Sequence, residues 1–403
     1  MSASQIGLVL IIACAVAILT RRLHLPYSVG LVVAGVGLAK LGGSINLTLA
    51  PDFIYTVLLP PLIFEAALHL KWRPFRTDLP LTAMLAFPGV ALTGAIITAG
   101  MHFIVGWGWL GAALFGALIS ATDPVSVVAA FKELKVEPRL ALLVESESLL
   151  NDGAAAVAFA VLVSFAHGAP LEPMKIAGEL GWMVAGGVGV GVVTALAALL
   201  VAGRTEDHLV EITLTTIAAY GSFGIAEHFH MSGVLAALAA GLVVGNAGWS
   251  GWMGCSISAA GRDHLVSFWE YAAFLSNSVV FLLIGVHEAN QASRLFIPAA
   301  AIAIGLVLAA RIATIYPLCA TFMASGLKVD LRYQHVLVWG GLRGALALAL
   351  ALAVPESVPE KSAIIVAAFA VVAFSIFAQG LTMPWLIRVL KLRTKPVGAG
   401  GRS

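Results

Sequence analysis

The sequence predicts an all-α polytopic membrane protein of about 13 transmembrane helices, arranged as two six-helix repeats of opposite topology around a joining span. Three observations lead there. Of 403 residues, 60% are hydrophobic and only 11% charged, so a water-soluble fold would lack the polar surface to cover its core. The apolar stretches run about 17 to 25 residues, the length of a membrane-crossing helix and not of the short alternating segments of a β-barrel. Lys and Arg, finally, fall almost wholly on one side of the map that those stretches define.

Broken at charged, Pro-rich and Gly/Asn-rich joints, the chain gives spans near 4–20, 27–42, 50–70, 79–104, 107–133, 138–165, 174–202, 207–226, 232–246, 265–287, 295–325, 332–354 and 361–388. The first run, Gln5 to Thr20, has Arg21 and Arg22 after it and no basic residue before it, the reverse of a secretory signal, and is kept as a span. With the N-terminus outside, seventeen Lys and Arg, from Arg21 to Lys395 and Arg402, sit in cytoplasmic joints, against four (Lys40, Lys175, Arg294, Lys361) on the other side. A miscounted helix would invert every later loop and scramble that asymmetry. Spans 1–6 then begin outside and spans 8–13 inside, the geometry of an inverted-repeat transporter; no residue-level likeness between the halves is visible. In span 7, Gly187 and Gly191 have a small-xxx-small spacing that suits close helix packing. The net charge of +2 without a basic stripe gives no case for nucleic acid, leaving membrane lipid as the surrounding partner. Cys14, Cys255 and Cys319 are isolated in or beside apolar runs and support neither a disulfide framework nor a zinc site.

Ionisable groups at membrane depth are expensive and persist chiefly where they pair or bind ions. In span 5 the run Ser120-Ala-Thr122-Asp123-Pro124 interrupts an apolar segment. Pro124 offers no N–H and disfavours the α conformation at Asp123, so the helix is expected to break there, exposing backbone carbonyls beside a carboxylate. A plain Pro-kinked helix with a capping Asp is the alternative. Span 6 carries Glu145, Glu147, Ser148, Asn151 and Asp152 ahead of a long apolar run. At about 100° per residue, Glu145, Ser148 and Asp152 share one face and Glu147 and Asn151 another. Asp152, with Ser148 and Asp123, supplies oxygens of mixed charge suited to a small hard cation. Burial raises a carboxyl pKa toward neutrality, so the same group can hold a proton instead, and competition between the two is sufficient for exchange. The alternative is that these acids cap the cytoplasmic end of span 6, which fits Glu145 better than Asp152.

Arg311 in span 11 and Arg343 in the Gly340-Gly-Leu-Arg343-Gly-Ala run of span 12 are permanently charged and need anions. The expected pairs are Arg311 with Glu147 and Arg343 with Glu65 of span 3; snorkelling to an interface is the alternative. The glycines around Arg343 suggest a second irregular segment.

These residues sit in the motifs Leu59-Pro-Pro-Leu-Ile-Phe-Glu65-Ala-Ala-Leu, Ala121-Thr-Asp123-Pro-Val, Glu147-Ser-Leu-Leu-Asn-Asp152-Gly, Ser232-Gly-Val-Leu-Ala with Ala240-Gly-Leu, and Gly340-Gly-Leu-Arg343-Gly-Ala. In their order and spacing the chain resembles the monovalent cation:proton antiporter family of the NhaP and NHE type over essentially its whole membrane region. The resemblance implies an NhaA-like antiporter fold with crossed discontinuous helices at spans 5 and 12. It implies a homodimer in which a core bundle (79–165 and 295–390) moves against a dimerisation panel with its linker helix (1–78 and 174–290), followed by a short cytoplasmic tail (391–403). It further implies a cation site built from Asp123, Asp152, Ser148 and Thr122, with Glu147 and Asn151 nearby. The Asn151-Asp152 pair, where relatives with Asp-Asp tend to move net charge, implies electroneutral exchange. The expectation is therefore a transporter and not an enzyme, without cofactor, exchanging Na⁺ (or Li⁺) for H⁺, with K⁺ as the runner-up cation. A channel would need a filter sequence that is not evident, and a receptor an extramembrane domain. A compact chain without a long tail favours a prokaryotic inner membrane.

Overall fold

The computed structural model describes residues 3–23, 26–41, 53–168, 172–250, 256–291 and 297–392. Arg294, Cys255, Arg393, Lys395 and Arg402, with nearly all of the expected tail, lie outside the described residues. Among the described residues the regular elements are helices, and seven of them are long and apolar enough to cross a membrane. The chain is a multi-pass integral membrane protein.

In order, the helices are α1 (Ala3–Leu23), α2 (Tyr27–Leu41), α3 (Leu59–His69), α4 (Trp72–Gly100), α5 (Trp109–Leu118), α6 (Val125–Leu134), α7 (Pro138–Ala166) and α8 (Pro173–Ala202). There follow α9 (His208–His228), α10 (Gly233–Ser250), α11 (Ala259–Gln291), α12 (Ile297–Ala320), α13 (Leu331–Trp339), α14 (Ala345–Leu352), α15 (Lys361–Phe374) and α16 (Leu381–Val389). A π-helical turn, Ser375–Gly380, joins α15 to α16, and others lead into α3 (Ile54–Leu58) and out of α4 (Met101–Val105).

Helix α4 starts at Trp72, ahead of the expected 79. Its charged first turns are satisfied within the protein, because buried Asp78 accepts an ion pair from Arg139 of α7 at 3.0 Å, and Arg139 also reaches the Leu327 and Lys328 carbonyls. Pro80 and Pro88 lie inside α4, as membrane helices tolerate. Helices α9 and α13 start at Asp207 and Asp330, whose carboxylates accept from Leu209 N and Arg332 N and so satisfy orphan donors of the first turn.

The packing falls into two groups. Helix α2 runs along α11, and α10 is sandwiched by α3, α8 and α9; separately, α4 is the hub on which α5, α7 and α12 pack, with α15 against α12 and α14. In the first group, Gly35 of α2 and Gly285 of α11 meet back to back: a Cβ on either would stand 2.9 Å from the other's Cα. Gly187 and Gly191 of α8 lie directly on the Ser232 and Ala236 backbone of α10, so the small-xxx-small spacing is an interhelical contact.

Candidate functional site

The first break runs from Ile119 to Pro124, between α5 and α6, wider than the single Asp-Pro step suggests. Its freed backbone groups are met by side chains of α7, and Thr122 is the focus. Thr122 N donates to Asn151 Oδ1 (3.0 Å), while Asn151 Nδ2 donates back to Thr122 Oγ1 (2.8 Å). Ser148 Oγ donates to the Thr122 carbonyl (2.6 Å) and accepts from Thr122 Oγ1 (3.1 Å). Ser148 and Asn151, which helical periodicity assigns to separate faces of span 6, thus converge on one residue. They stand three positions apart, close enough for an unwound segment to reach both.

The second break, Gly340 to Gly344, separates α13 from α14 and touches the first. Asp123 N donates to the Leu342 carbonyl (2.8 Å), and the Gly344 backbone packs so closely on the Asp123 side chain that a Cβ there would overlap its carboxylate. Here the freed groups are met by the π turn and by α12. Ser375 Oγ accepts from Arg343 N (3.1 Å), Gln379 Nε2 donates to the Trp339 carbonyl (3.0 Å), and Arg311 Nη2 donates to the Leu337 carbonyl (3.1 Å).

Two buried arginines hold the paired breaks in different ways. Arg311 grips Glu147 through two bonds, Nη1 to Oε1 at 2.9 Å and Nη2 to Oε2 at 3.0 Å, with both side chains buried. Asn151 Nδ2 also reaches Glu147 Oε1 (3.2 Å), which joins the ion pair to the Thr122 network. The expected Arg343–Glu65 pair is not formed. Arg343 Nη1 instead donates to the Ser120 and Ala121 carbonyls (3.3 and 3.2 Å), where the end of α5 concentrates negative partial charge, and Nε and Nη2 make no hydrogen bond. Glu65 lies one helical turn from His69, 3.4 Å from its Nδ1.

Asp152 completes the arrangement. Its Oδ1 is buried and accepts no hydrogen bond, while the Thr122 backbone donates to the carboxyl group and Asp123, Glu147 and Arg343 are its charged neighbours. A buried carboxylate oxygen without a donor beside hydroxyl and carbonyl oxygens is a geometry that a proton or a small cation can complete. Among the described residues no group of three His, Cys, Asp or Glu could hold a resident metal ion.

Sequence reasoning missed Ser375 and Gln379, although two polar residues inside the apolar run of span 13 were a readable signal. It also missed Asp78, and Glu211 of α9, a fully buried acid that accepts from Ser258 N (2.7 Å) and Oγ (3.0 Å) at the start of α11.

A profile of the sodium/hydrogen exchanger transmembrane family matches residues 8–389, a stretch that contains both breaks and every residue described around them. The chain belongs to that family. Among relatives of this exchanger-family chain, the Na⁺/H⁺ antiporter NhaS2 of Synechocystis sp. is 35% identical over 395 residues, covering 96% of this chain and 70% of that one. The Na⁺/H⁺ antiporter ApNhaP of Aphanothece halophytica is 37% identical over 381 residues, covering 92% and 70%. The sodium proton antiporter MjNhaP1 from Methanocaldococcus jannaschii superposes with a TM-score of 0.77 over 96% of this chain and 98% of its own, at 19% identity, which establishes a shared fold.

Proposed function

We propose that this protein is a secondary antiporter that exchanges Na⁺ for H⁺ by letting the two compete for Asp152. The observation that carries the reading is the buried Asp152 Oδ1, which accepts no hydrogen bond beside the broken helix. Asp123, Ser148 and the Thr122 oxygens complete a ligand set of mixed charge. The names of the relatives, Na⁺/H⁺ antiporters in two cyanobacteria, favour Na⁺ as the cation. Position 151 carries an amide, which has no proton to exchange, and Glu147 is committed to Arg311, so neither supplies a second exchanging carboxylate beside Asp152. That supports electroneutral exchange, one cation per proton.

Counting α5 with α6, α13 with α14, and α15 with α16 as single interrupted spans supports thirteen spans in two inverted repeats, with the N-terminus outside and the C-terminus cytoplasmic. The α4 group (79–165 and 295–390) is then the moving core and the α10 group (1–78 and 174–290) the panel, through which two subunits form a homodimer in a prokaryotic inner membrane. Alternating access follows if the core carries a loaded Asp152 past the panel and the empty, ionised site crosses poorly.

The test is a cation series in pH-sensing proteoliposomes. Na⁺ and Li⁺ should drive proton movement in the opposite direction, more strongly than K⁺, and clamping the voltage with an ionophore should leave the rate unchanged. Flux without coupling would point to a channel, and K⁺ as the stronger driver would reassign the cation.

A further inference from the structure

We propose that the cavity at the joint between α3 and α4 is a binding site for one anionic phospholipid. The cavity measures about 970 Å³, at the upper end of the roughly 300–1,000 Å³ of small-molecule sites. Its walls come from both helix groups: Phe75 and Leu79 of α4 and Leu150 of α7 on one side, Val192 of α8 and Leu242 of α10 on the other. Lys71 and Arg73 stand among its lining, both exposed, and no carboxylate does.

The backbone that carries the two cations is held in place. Leu70 and Lys71 have extended backbones, and Asn246 of α10 ties the joint down: its Oδ1 accepts from Trp72 N (2.7 Å) and its Nδ2 donates to the Leu70 carbonyl (2.9 Å). An apolar space of this size between membrane helices suits acyl chain, and a pair of cations carried on an anchored backbone at its edge selects a headgroup of negative charge. Two other cavities lack this combination. One of about 430 Å³ beside Phe87 and Val184 has no charged lining, and one of about 760 Å³ near Trp182 mixes Lys175 with Glu179 and Glu227. An aqueous route for a cation is the poorer account of the α3–α4 cavity, because two positive charges would repel the cargo.

The proposal rests on the membrane embedding and not on which ion is carried, so its test reads binding. The full chain, purified in detergent, is offered phosphatidylglycerol and phosphatidylcholine, and retained lipid is counted by native mass spectrometry. The wild type should retain one phosphatidylglycerol per chain in roughly thirtyfold preference, the scale expected of two cations near an anionic headgroup. The double variant Lys71→Gln/Arg73→Gln should lose the preference, and Val188→Trp, which fills the cavity from α8 and leaves both cations, should lose the retained lipid. Melting and size-exclusion profiles accompany both variants; if the double variant fails to fold, the wild type and Val188→Trp still decide. Equal retention of the two lipids by the wild type, or a preference that survives Val188→Trp, would overturn the proposal in favour of surface lipid only. Glycerol phosphate without a tail should not displace the lipid, and displacement by it would overturn the lipid assignment in favour of a free-anion site.

Discussion

The two breaks that meet at Asp123 and Leu342 are built from opposite materials. The first contributes an acid and hydroxyl oxygens, Thr122 and Asp123, and draws its support from neutral side chains of α7, Ser148 and Asn151. The second contributes glycine backbone and a guanidinium, and draws its support from Arg311 and from the polar residues of a π turn. On the proposed reading the first supplies oxygens to the site at Asp152; in the second, each named group is used to satisfy backbone or to sit against it. An interrupted membrane helix can therefore serve as ligand or as frame, and the side chains that replace its lost hydrogen bonds distinguish the two.

Substitutions can break that contrast. Asp152→Asn should cause the largest loss, removing Na⁺-driven proton flux by at least about 100-fold while the melting temperature stays near that of the wild type, since the amide is nearly isosteric, keeps an oxygen for the Thr122 backbone hydrogen bond, and Oδ1 has no bond to lose. Arg311→Met should act on stability first, costing about 3–5 kcal/mol by leaving Glu147 charged, buried and unpaired. Adding Glu147→Leu to it should recover much of that loss in a thermal melt, whereas a residue of the binding half would show no such rescue. Gly344→Ala tests where frame meets ligand. Its methyl must displace the Asp123 carboxylate, so about 1–3 kcal/mol of strain should appear together with a raised KM for Na⁺ in proteoliposomes. Ser375→Ala should be the mildest, about 1 kcal/mol from one hydrogen-bonded hydroxyl, with KM for Na⁺ unchanged. A KM shift in Ser375→Ala as large as that in Gly344→Ala would erase the distinction between the two breaks.

Much of this was legible because membrane burial makes single residues conspicuous. Pro124 after Asp123 announced the first break, and a charge balance alone led to Arg311 with Glu147. The same balance failed for Arg343, because it assumed that a buried guanidinium must find a carboxylate; carbonyls at a helix end offer negative potential that leaves no mark in a sequence. The convergence of Ser148 and Asn151 was hidden for a related reason. Helical periodicity sorts the faces of one helix, but not what an unwound neighbour can reach across two of them. The early start of α4 was obscured by Arg73, Arg76 and Asp78, which read as a loop until Arg139 is seen to accept Asp78 into the fold.

The back-to-back meeting of Gly35 with Gly285, and of Gly187 and Gly191 with α10, has a mechanical reading. Backbone pressed on backbone has no side chain to bend, so these helices form a stiff block that transmits load without absorbing it. Stiffness there concentrates deformation elsewhere. Leu70 and Lys71, the two extended residues by which that block hands the chain to α4, are where a relative rotation of the two groups would be felt as torque.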